Sequence, residues 1–308
     1  MTTSIDLGGL SVALATPFTD AGDLDLPALA RLARHVVAGG ARALVALGTT
    51  GEASVLDEGE RDAVVETVRG VLAEGAPGRA RALLVVGTGS NATRQAAAWT
   101  ARAQALGADA ALVVTPYYNR PNPAGLVAHY RAVAEAAPGL PLVLYNVPGR
   151  TGLNVTPPVL ARLWELPAVV AVKESSGNLA QIGEVCRACP AGKQVLSGDD
   201  ALGLASIAAG AVGLVSVAGN VVPRGMADLV AHALAGRRED ALALQRRLLP
   251  FMDALFLESN PIPLKAALRL LGLAGGALRL PLAPAEPATV ARLEAALEAA
   301  QARQEVGA

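Results

Sequence analysis

The sequence predicts an α/β protein, a (β/α)8 TIM barrel with a C-terminal helical extension, and three observations support this. Short runs rich in Val, Leu and Ala alternate with amphipathic helical patterns along most of the chain. The runs are continuously apolar, which is typical of parallel strands covered on both faces by helices. There are eight of them, the number that closes such a barrel in one domain. They lie within residues 11–18, 43–50, 82–89, 110–118, 141–148, 169–176, 194–200 and 212–220.

Helical patterns fill the intervals between the runs and then continue alone. Between the runs they include residues 58–73, 92–106, 125–137, 158–165 and 179–188. After Gly236 the strand signals stop, and helical patterns cover about 239–258, 263–271 and 287–305. We therefore predict a catalytic barrel at residues 1–236 and a C-terminal helical region at residues 237–308 that packs on it.

Composition favours an enzyme of small-molecule metabolism. The chain has 308 residues, a formal net charge of -1 and a pI near 6.3, which gives no basic surface for nucleic acid or an anionic membrane. The N-terminus has no positively charged segment before its short apolar run, so it does not resemble a secretory signal. With only two cysteines, these features predict a cytoplasmic protein.

Residues 201–223 carry no charge and are long enough to span a bilayer. A break between Gly210 and Gly213 divides the segment into an Ala-rich helical half and a Val-rich strand half, and Pro223 ends it. We therefore predict a buried helix followed by a buried strand rather than a membrane span.

Lys173 ends the sixth apolar run and is one of three lysines among 26 basic residues. A lysine can condense with a ketone or aldehyde to give a Schiff base, and burial favours the neutral amine that does so. Arginine cannot, because its guanidinium stays protonated. We predict that Lys173 is a nucleophile; the alternative is a strand-end lysine paired with Glu174 or another acid.

Other polar residues follow strands at the same predicted rim, where barrel enzymes keep their active sites. Tyr145 ends the fifth run and could transfer protons, although it could also be ordinary core. Thr49 and Thr50 end the second run and could hold a carboxylate, or form a plain turn and helix cap. Arg150 lies in a loop after Tyr145, where it could bind a second carboxylate or simply be solvated.

A glycine-containing motif and a pair of aspartates could indicate binding sites, but we assign structural roles to both. The stretch GTGSNA at residues 87–92 matches a dinucleotide-binding pattern. A dinucleotide site requires an acidic residue at the end of the following strand, whereas Asp109 comes before that strand. Asp199 and Asp200 could ligate a metal, but such a pair more often caps a helix, in this case one beginning at Ala201.

The remaining metal-binding residue types also form no site in the sequence. Cys186 and Cys189 form a single C-x-x-C after a helical pattern, with no second pair for zinc, so a structural role is favoured. His35, His129 and His232 fall in separate helical patterns with no shared spacing. We expect neither a metal nor a cofactor.

Six motifs together resemble the dihydrodipicolinate synthase family, which belongs with N-acetylneuraminate lyase among the pyruvate-dependent class I aldolases. They occur in the family's order and extend from the second strand to the C-terminal helices. They are GTTGE at 48–52, TPYYNRP at 115–121, YNVPGRTG at 145–152, KESSGN at 173–178, SGDD at 197–200 and NPIPLKAAL at 260–268.

The resemblance implies that Lys173 forms an imine with pyruvate, whose enamine attacks L-aspartate 4-semialdehyde. Thr50 would hold the pyruvate carboxylate, and Arg150 would hold the carboxylate of the semialdehyde. The other implied site residues are a proton relay of Tyr145, Thr49 and Tyr118, and a pyruvate pocket that includes Gly198 and Val215.

The resemblance also implies an assembly and a form of regulation. Tyr118 would reach in from a neighbouring subunit of a homo-oligomer, a dimer of dimers. Strongly lysine-inhibited members carry His at the position of Glu58 and Glu at that of Gln95, so we predict weak or absent lysine inhibition. The interface at which inhibited members bind lysine corresponds in this chain to Ser54, Glu58, Arg61, Asn91, Gln95 and Tyr117.

Two other functions remain possible from the sequence alone. A sister aldolase that cleaves a 2-oxo acid would share Lys173 but would not need Arg150. A barrel that binds a 2-oxo acid without catalysis would not need the full set of reactive groups.

Overall fold

The computed structural model describes residues 5–75 and 81–300, and its centre is a closed barrel of eight strands. Each strand pairs in parallel with its neighbour in sequence, and β8 pairs with β1 to close the barrel. This confirms the predicted fold. The strands are β1 Gly9–Ala13, β2 Ala43–Ala46, β3 Leu83–Gly87, β4 Ala110–Val114, β5 Leu142–Asn146, β6 Val169–Glu174, β7 Gln194–Ser197 and β8 Gly213–Ser216.

Helices surround the barrel and continue beyond it. The helices are α1 Leu26–Ala38, α2 Glu58–Glu74, α3 Thr93–Ala105, α4 Pro123–Ala136, α5 Pro148–Thr151, α6 Pro157–Trp164, α7 Leu179–Arg187, α8 Gly203–Ala208, α9 Pro223–Leu234, α10 Arg238–Ala254, α11 Ile262–Leu270 and α12 Pro287–Ala299. The predicted helical segments are confirmed with shifted ends. Residues 301–305 of the last one lie outside the described residues.

Local sequence explains where several helices begin. Asp57 and Glu60 form a reciprocal capping box at the start of α2, so that each side chain accepts a hydrogen bond from the other residue's backbone N–H. Asn122 accepts a hydrogen bond from the Gly125 N–H, and Pro123 occupies the first turn of α4, where its missing N–H costs nothing. These signals position the helices that follow the strands.

The two faces of the strands build two kinds of core. Inward-facing side chains such as Ala13, Val45 and Val85 fill the barrel interior. Outward-facing side chains pack against the helices, and one continuous cluster joins Leu44 of β2 with Leu264 of α11. The C-terminal helices therefore share a hydrophobic core with the barrel. The predicted division at residue 236 falls between α9 and α10 and stays a prediction.

The uncharged segment 201–223 contains α8 and then β8, as predicted. Gly210 separates them with a φ of +117°, a conformation that favours glycine. Among the described residues, no helix has both the length and the apolar character required to cross a membrane.

Candidate active site

A cavity of about 360 Å³ opens where the strands end, on the side of the barrel from which the loops lead into helices. Loop residues after β2 and β5 line it, together with segments of the C-terminal region. Of the predicted site residues, Thr49, Tyr145 and Arg150 line this cavity.

Lys173 lies in β6 and is 5% exposed. In the barrel it pairs with Tyr145 of β5 on one side and Leu196 of β7 on the other. The Lys173 Nζ lies 4.2 Å from the centre of the Tyr145 ring. Tyr145 lines the cavity, whereas Lys173 itself does not.

The ion pair between Lys173 and Glu174 is not formed. The Glu174 carboxylate instead accepts hydrogen bonds from Asn146 Nδ2 at 2.8 Å and from the Ser176 N–H at 2.7 Å. Within residues 5–75 and 81–300, no carboxylate lies within ion-pair distance of Lys173. Lys173 is thus a buried lysine whose amine is not committed to an acid.

Thr49 and Thr50 do not end a strand, because β2 ends at Ala46. They belong to a 3-10 turn at Thr49–Gly51 that follows the strand. Thr50 is buried, and its Oγ1 accepts a hydrogen bond of 2.9 Å from Asn260 Nδ2. The two hydroxyls therefore occupy different surroundings, since Thr49 faces the cavity.

Gly198 follows β7 and packs against Lys173. A Cβ at this position would lie 2.7 Å from Lys173 Cε and 1.9 Å from Ser175 Oγ. Only glycine allows this approach without displacing those side chains. Val215 of β8 is buried in the interior cluster that also contains Tyr145. Gly198 thus lies against Lys173, and Val215 lies in the interior of the barrel.

Arg150 lies in α5, a four-residue helical turn, rather than in the predicted irregular loop. Pro148 fixes the first position of this turn, and Gly152 ends it with a φ of +70°. The Arg150 guanidinium donates a hydrogen bond of 3.3 Å to the backbone oxygen of Asn260. Its position at the cavity is therefore fixed by the C-terminal region.

Tyr118 is not brought together with the other predicted residues within one chain. It is 90% exposed and has a φ of +70°, while its neighbour Tyr117 lines the cavity. The side chain projects away from the barrel core, so its predicted role depends on a neighbouring subunit.

The cavity also has lining residues to which the sequence analysis assigned no role. Asn260 and Arg279 both line it from the C-terminal region. Asn260 belongs to the NPIPLKAAL motif, so the motif carried a signal, but no local pattern indicates which residue it contacts. Arg279 had no such signal.

The acidic pair after β7 behaves differently from the prediction. Asp199 Oδ1 accepts a hydrogen bond from the Leu202 N–H, but helix α8 begins at Gly203 rather than Ala201. Asp200 is buried and accepts hydrogen bonds of 2.9 Å from the Val217 and Ala218 N–H groups after β8. Burial raises the pKa of Asp200. Asp200 therefore joins two barrel loops and does not cap a helix.

The remaining motifs have structural contacts. Asp109 accepts a hydrogen bond from the Leu84 N–H and pairs with Arg81. Cys186 and Cys189 are free thiols, and burial raises the pKa of Cys186 to about 11, which makes it a poor nucleophile. In the described part of the chain, no group of three or more His, Cys, Asp and Glu side chains could hold a metal.

Comparison with known proteins identifies the family of the chain. The model of the dihydrodipicolinate synthetase family matches residues 6–300. The chain belongs to this family. The resemblance inferred from the six motifs is therefore confirmed.

Members of the dihydrodipicolinate synthetase family match nearly the whole chain. The 4-hydroxy-tetrahydrodipicolinate synthase of Synechococcus sp. (strain WH7803) is 46% identical over 95% of both chains. That of Methylococcus capsulatus is 47% identical over 89% of this chain and 92% of its own. The agreement in length means that the C-terminal helices are part of the shared sequence.

Solved structures of the family share the fold at comparable identity. Dihydrodipicolinate synthase from Thermotoga maritima has a TM-score of 0.91 and 39% identity, covering 96% of this chain and 99% of its own. The enzyme from Acinetobacter baumannii, solved in complex with pyruvate, has a TM-score of 0.92 and 39% identity, covering 96% of this chain and 100% of its own.

Proposed function

We infer that this protein is a lyase that condenses pyruvate with L-aspartate 4-semialdehyde to give 4-hydroxy-tetrahydrodipicolinate, in the biosynthesis of lysine and diaminopimelate. Family membership supports this activity. In the site itself, the observation that carries it is the buried amine of Lys173, which lies 4.2 Å from the ring centre of Tyr145 at the cavity rim. No contact among the described residues of the site favours either alternative, the sister aldolase or the barrel that binds a 2-oxo acid without catalysis.

The proposed reaction uses Lys173 as the covalent catalyst. Its neutral amine attacks the carbonyl carbon of pyruvate, and loss of water gives an imine. Loss of a methyl proton converts the imine to an enamine, which attacks the aldehyde carbon of the second substrate. The amino group of that substrate then replaces Lys173 at the imine carbon, which closes the ring and restores the lysine.

The carboxylates of the two substrates are proposed to bind at separate places. Thr50, with the backbone N–H groups of its turn, binds the pyruvate carboxylate. Gly198 and Val215 form the wall beside Lys173. Arg150 binds the carboxylate of the semialdehyde, since a guanidinium can hold a carboxylate through two parallel hydrogen bonds.

Tyr145, Thr49 and Tyr118 are proposed to relay protons during imine formation and hydrolysis. Tyr145 and Thr49 line the same cavity, which supports the relay within one chain. Tyr118 is proposed to enter from a neighbouring subunit, and its 90% exposure supports an intersubunit role. We therefore propose a homo-oligomer arranged as a dimer of dimers.

The location and regional division are also proposals. The two free cysteines support a reducing, cytoplasmic location. The division at residue 236 separates a catalytic barrel from a helical region, and the contacts of Asn260 support a contribution of the second region to the site.

The decisive experiment is a steady-state assay with pyruvate and L-aspartate 4-semialdehyde, coupled to dihydrodipicolinate reductase and followed as NADPH consumption. Saturable turnover that depends on both substrates is expected. Absence of turnover from folded protein would contradict the proposal. Borohydride trapping of pyruvate on Lys173, read by mass spectrometry, would then distinguish a sister aldolase from a barrel without this chemistry.

A further inference from the structure

Asn260 connects the C-terminal region with the turn that carries Thr50. Its Nδ2 lies 2.9 Å from Thr50 Oγ1, although 210 positions separate the two residues in the chain. Asn260 is 6% exposed, and it lines the same cavity as Thr49 and Arg150. The contact is therefore buried at the edge of the proposed substrate site.

The direction of this hydrogen bond determines what the Thr50 hydroxyl can do. An amide NH2 group only donates hydrogen bonds, so Thr50 Oγ1 must be the acceptor. A hydroxyl has one proton of its own, and that proton is not used in the bond with Asn260. A carboxylate only accepts hydrogen bonds, so the free Thr50 proton is suited to a carboxylate ligand.

The backbone of Asn260 contacts Arg150, the residue proposed to bind the carboxylate of the semialdehyde. Its carbonyl oxygen accepts a hydrogen bond of 3.3 Å from the Arg150 guanidinium. One residue of the C-terminal region thus contacts both Thr50 and Arg150. These are the two residues to which the carboxylates of the substrates are assigned.

The segment that carries Asn260 is tied to the same turn at a second point. Glu52 lies two residues after Thr50, and its carboxylate forms a buried ion pair with Lys265 of α11. Lys265 Nζ also donates to the Ala277 carbonyl at 2.8 Å. Two separate contacts therefore fix α11 and the residues before it against the Thr49–Gly51 turn.

The hydrogen bonding of the Asn260 side chain is directed to Thr50. In the described part of the chain, its Oδ1 is buried and has no hydrogen-bond partner. A purely structural asparagine would be expected to satisfy its carbonyl oxygen as well, because an unpaired buried acceptor is unfavourable. The side-chain bond that it does make is the donation to Thr50.

We propose that Asn260 is a positioning residue that holds the Thr50 hydroxyl as an acceptor and so directs the Thr50 proton to the pyruvate carboxylate. This inference rests on the proposed function, because it assigns the pyruvate carboxylate to Thr50. It makes the C-terminal region part of the apparatus that selects a 2-oxo acid.

The test is a double-mutant cycle in the full-length enzyme with Asn260→Ala and Thr50→Val. Asn260→Ala is expected to raise the KM for pyruvate about tenfold, with a much smaller change in kcat, because a hydrogen bond to a charged ligand loses its orientation. In the Thr50→Val enzyme, adding Asn260→Ala is expected to raise the KM for pyruvate by less than about twofold, since the Thr50 hydroxyl is already absent.

Asn260→Asp provides a second measurement of the same bond. A carboxylate beside Thr50 would accept a hydrogen bond from the Thr50 hydroxyl and would repel the carboxylate of pyruvate. The KM of the Asn260→Asp variant for pyruvate is therefore expected to exceed that of the Asn260→Ala variant. The matched control is Asn178→Asp, because Asn178 is exposed and caps α7 with an oxygen that aspartate retains. The control is expected to leave the KM unchanged.

Thermal melting of each variant separates positioning from folding. An equal effect of Asn260→Ala in the wild-type and Thr50→Val enzymes, with native melting, would overturn the inference. If Asn260→Asp does not fold, the cycle with Asn260→Ala still decides. Borohydride trapping of pyruvate on wild-type Lys173 tests the proposed function separately: no adduct overturns both proposals, whereas an adduct without coupling overturns only this one.

Discussion

Lys173 and Tyr145 are directly paired residues of adjacent strands, and the lysine Nζ lies 4.2 Å from the centre of the tyrosine ring. In a parallel barrel, residues that pair in register point to the same side, so their proximity follows from the alignment of β5 and β6. The amine is thereby held beside an aromatic ring that lines the cavity.

Replacing Lys173 with arginine is expected to abolish turnover, by roughly three orders of magnitude or more, because a guanidinium forms no imine. The fold should be retained, since arginine preserves the charge and the aliphatic stem. The coupled assay and borohydride trapping measure the loss. Lys193→Arg is the matched control, because Lys193 Nζ donates to backbone carbonyls such as that of Val169. Normal activity of Lys173→Arg would contradict the assignment of the nucleophile.

Gly198→Ala is expected to lower kcat about 100-fold, the scale expected for a displacement of about 1 Å in a reacting group. The added Cβ would lie 2.7 Å from Lys173 Cε, so the lysine must move. The yield of trapped pyruvate adduct should fall with kcat. Gly183→Ala in α7 is the control, because nothing lies within 4 Å of its added Cβ. Equal activity of the two variants would show that the close approach is unimportant.

Arg150→Ala is expected to raise the KM for aspartate semialdehyde about tenfold to 100-fold, with a smaller change for pyruvate. The reason is that its guanidinium is proposed to bind the carboxylate of the second substrate only. Separate titrations of the two substrates in the coupled assay measure the difference. Arg162→Ala removes an exposed arginine from α6 and should change neither KM. A larger effect on pyruvate would reverse the assignment of the two carboxylates.

His129 is expected to make the protein less stable in mild acid. It is 4% exposed, and burial lowers its pKa below the ordinary value of 6.5. The unfolded chain therefore binds a proton at a pH where folded His129 does not, and stability falls as the pH drops below 6.5. Above that pH the contribution is fully present.

Denaturant unfolding of the wild type and His129→Asn is the measurement, made from about pH 7.5 to about pH 5 so that it spans the titration of an ordinary histidine. Asparagine can keep the contact that His129 Nδ1 makes with Thr93 Oγ1 at 3.0 Å but cannot titrate. The variant should lose less stability than the wild type over this interval. Parallel pH curves for the two proteins would contradict the prediction.

L-lysine is expected to inhibit the enzyme weakly or not at all. The interface site implied by the family resemblance has Glu58 and Gln95 where strongly inhibited members have His and Glu. Arg61 adds a fixed cation: it is 6% exposed, lies 3.9 Å from the centre of the Trp99 ring and donates to two backbone carbonyls. A bound lysine would meet this positive charge without the glutamate that strongly inhibited members carry at the position of Gln95.

Steady-state inhibition by L-lysine in the coupled assay measures this. Gln95→Glu supplies the missing carboxylate and should strengthen inhibition. Gln104→Glu is the control, because it changes an α3 side chain that donates to the Pro138 carbonyl, and it should leave inhibition unchanged. A submillimolar inhibition constant for the wild-type enzyme would contradict the prediction.

Much of the fold could be predicted because its signals are local. A run such as residues 169–172 is apolar throughout, so it indicates a strand covered on both faces, and β6 begins with these residues. Asp57 and Glu60 indicate a helix start by their spacing alone. The sixth strand in turn brings Lys173 to the rim, because parallel strands of a barrel end at one edge.

Other contacts join residues that no local pattern relates. Asp200 is of a residue type that often caps helices, yet its carboxylate accepts hydrogen bonds from the N–H groups of Val217 and Ala218, 17 and 18 positions away. Which donors a buried carboxylate meets depends on how the β7 and β8 loops approach each other. The position of Arg150 likewise depends on the C-terminal region.

By itself, the sequence determined the barrel, the order of its strands, and the presence of a lysine at the end of the sixth one. Hydrophobic period and strand chemistry act over a few residues, so they can be recognised without a structure. Only the tertiary structure decided that Asn260 donates to Thr50, that Glu52 pairs with Lys265, and that Tyr118 projects outward. The physical reason is that such partners are chosen by the packing of distant segments, and a side chain's type does not specify which group it will meet.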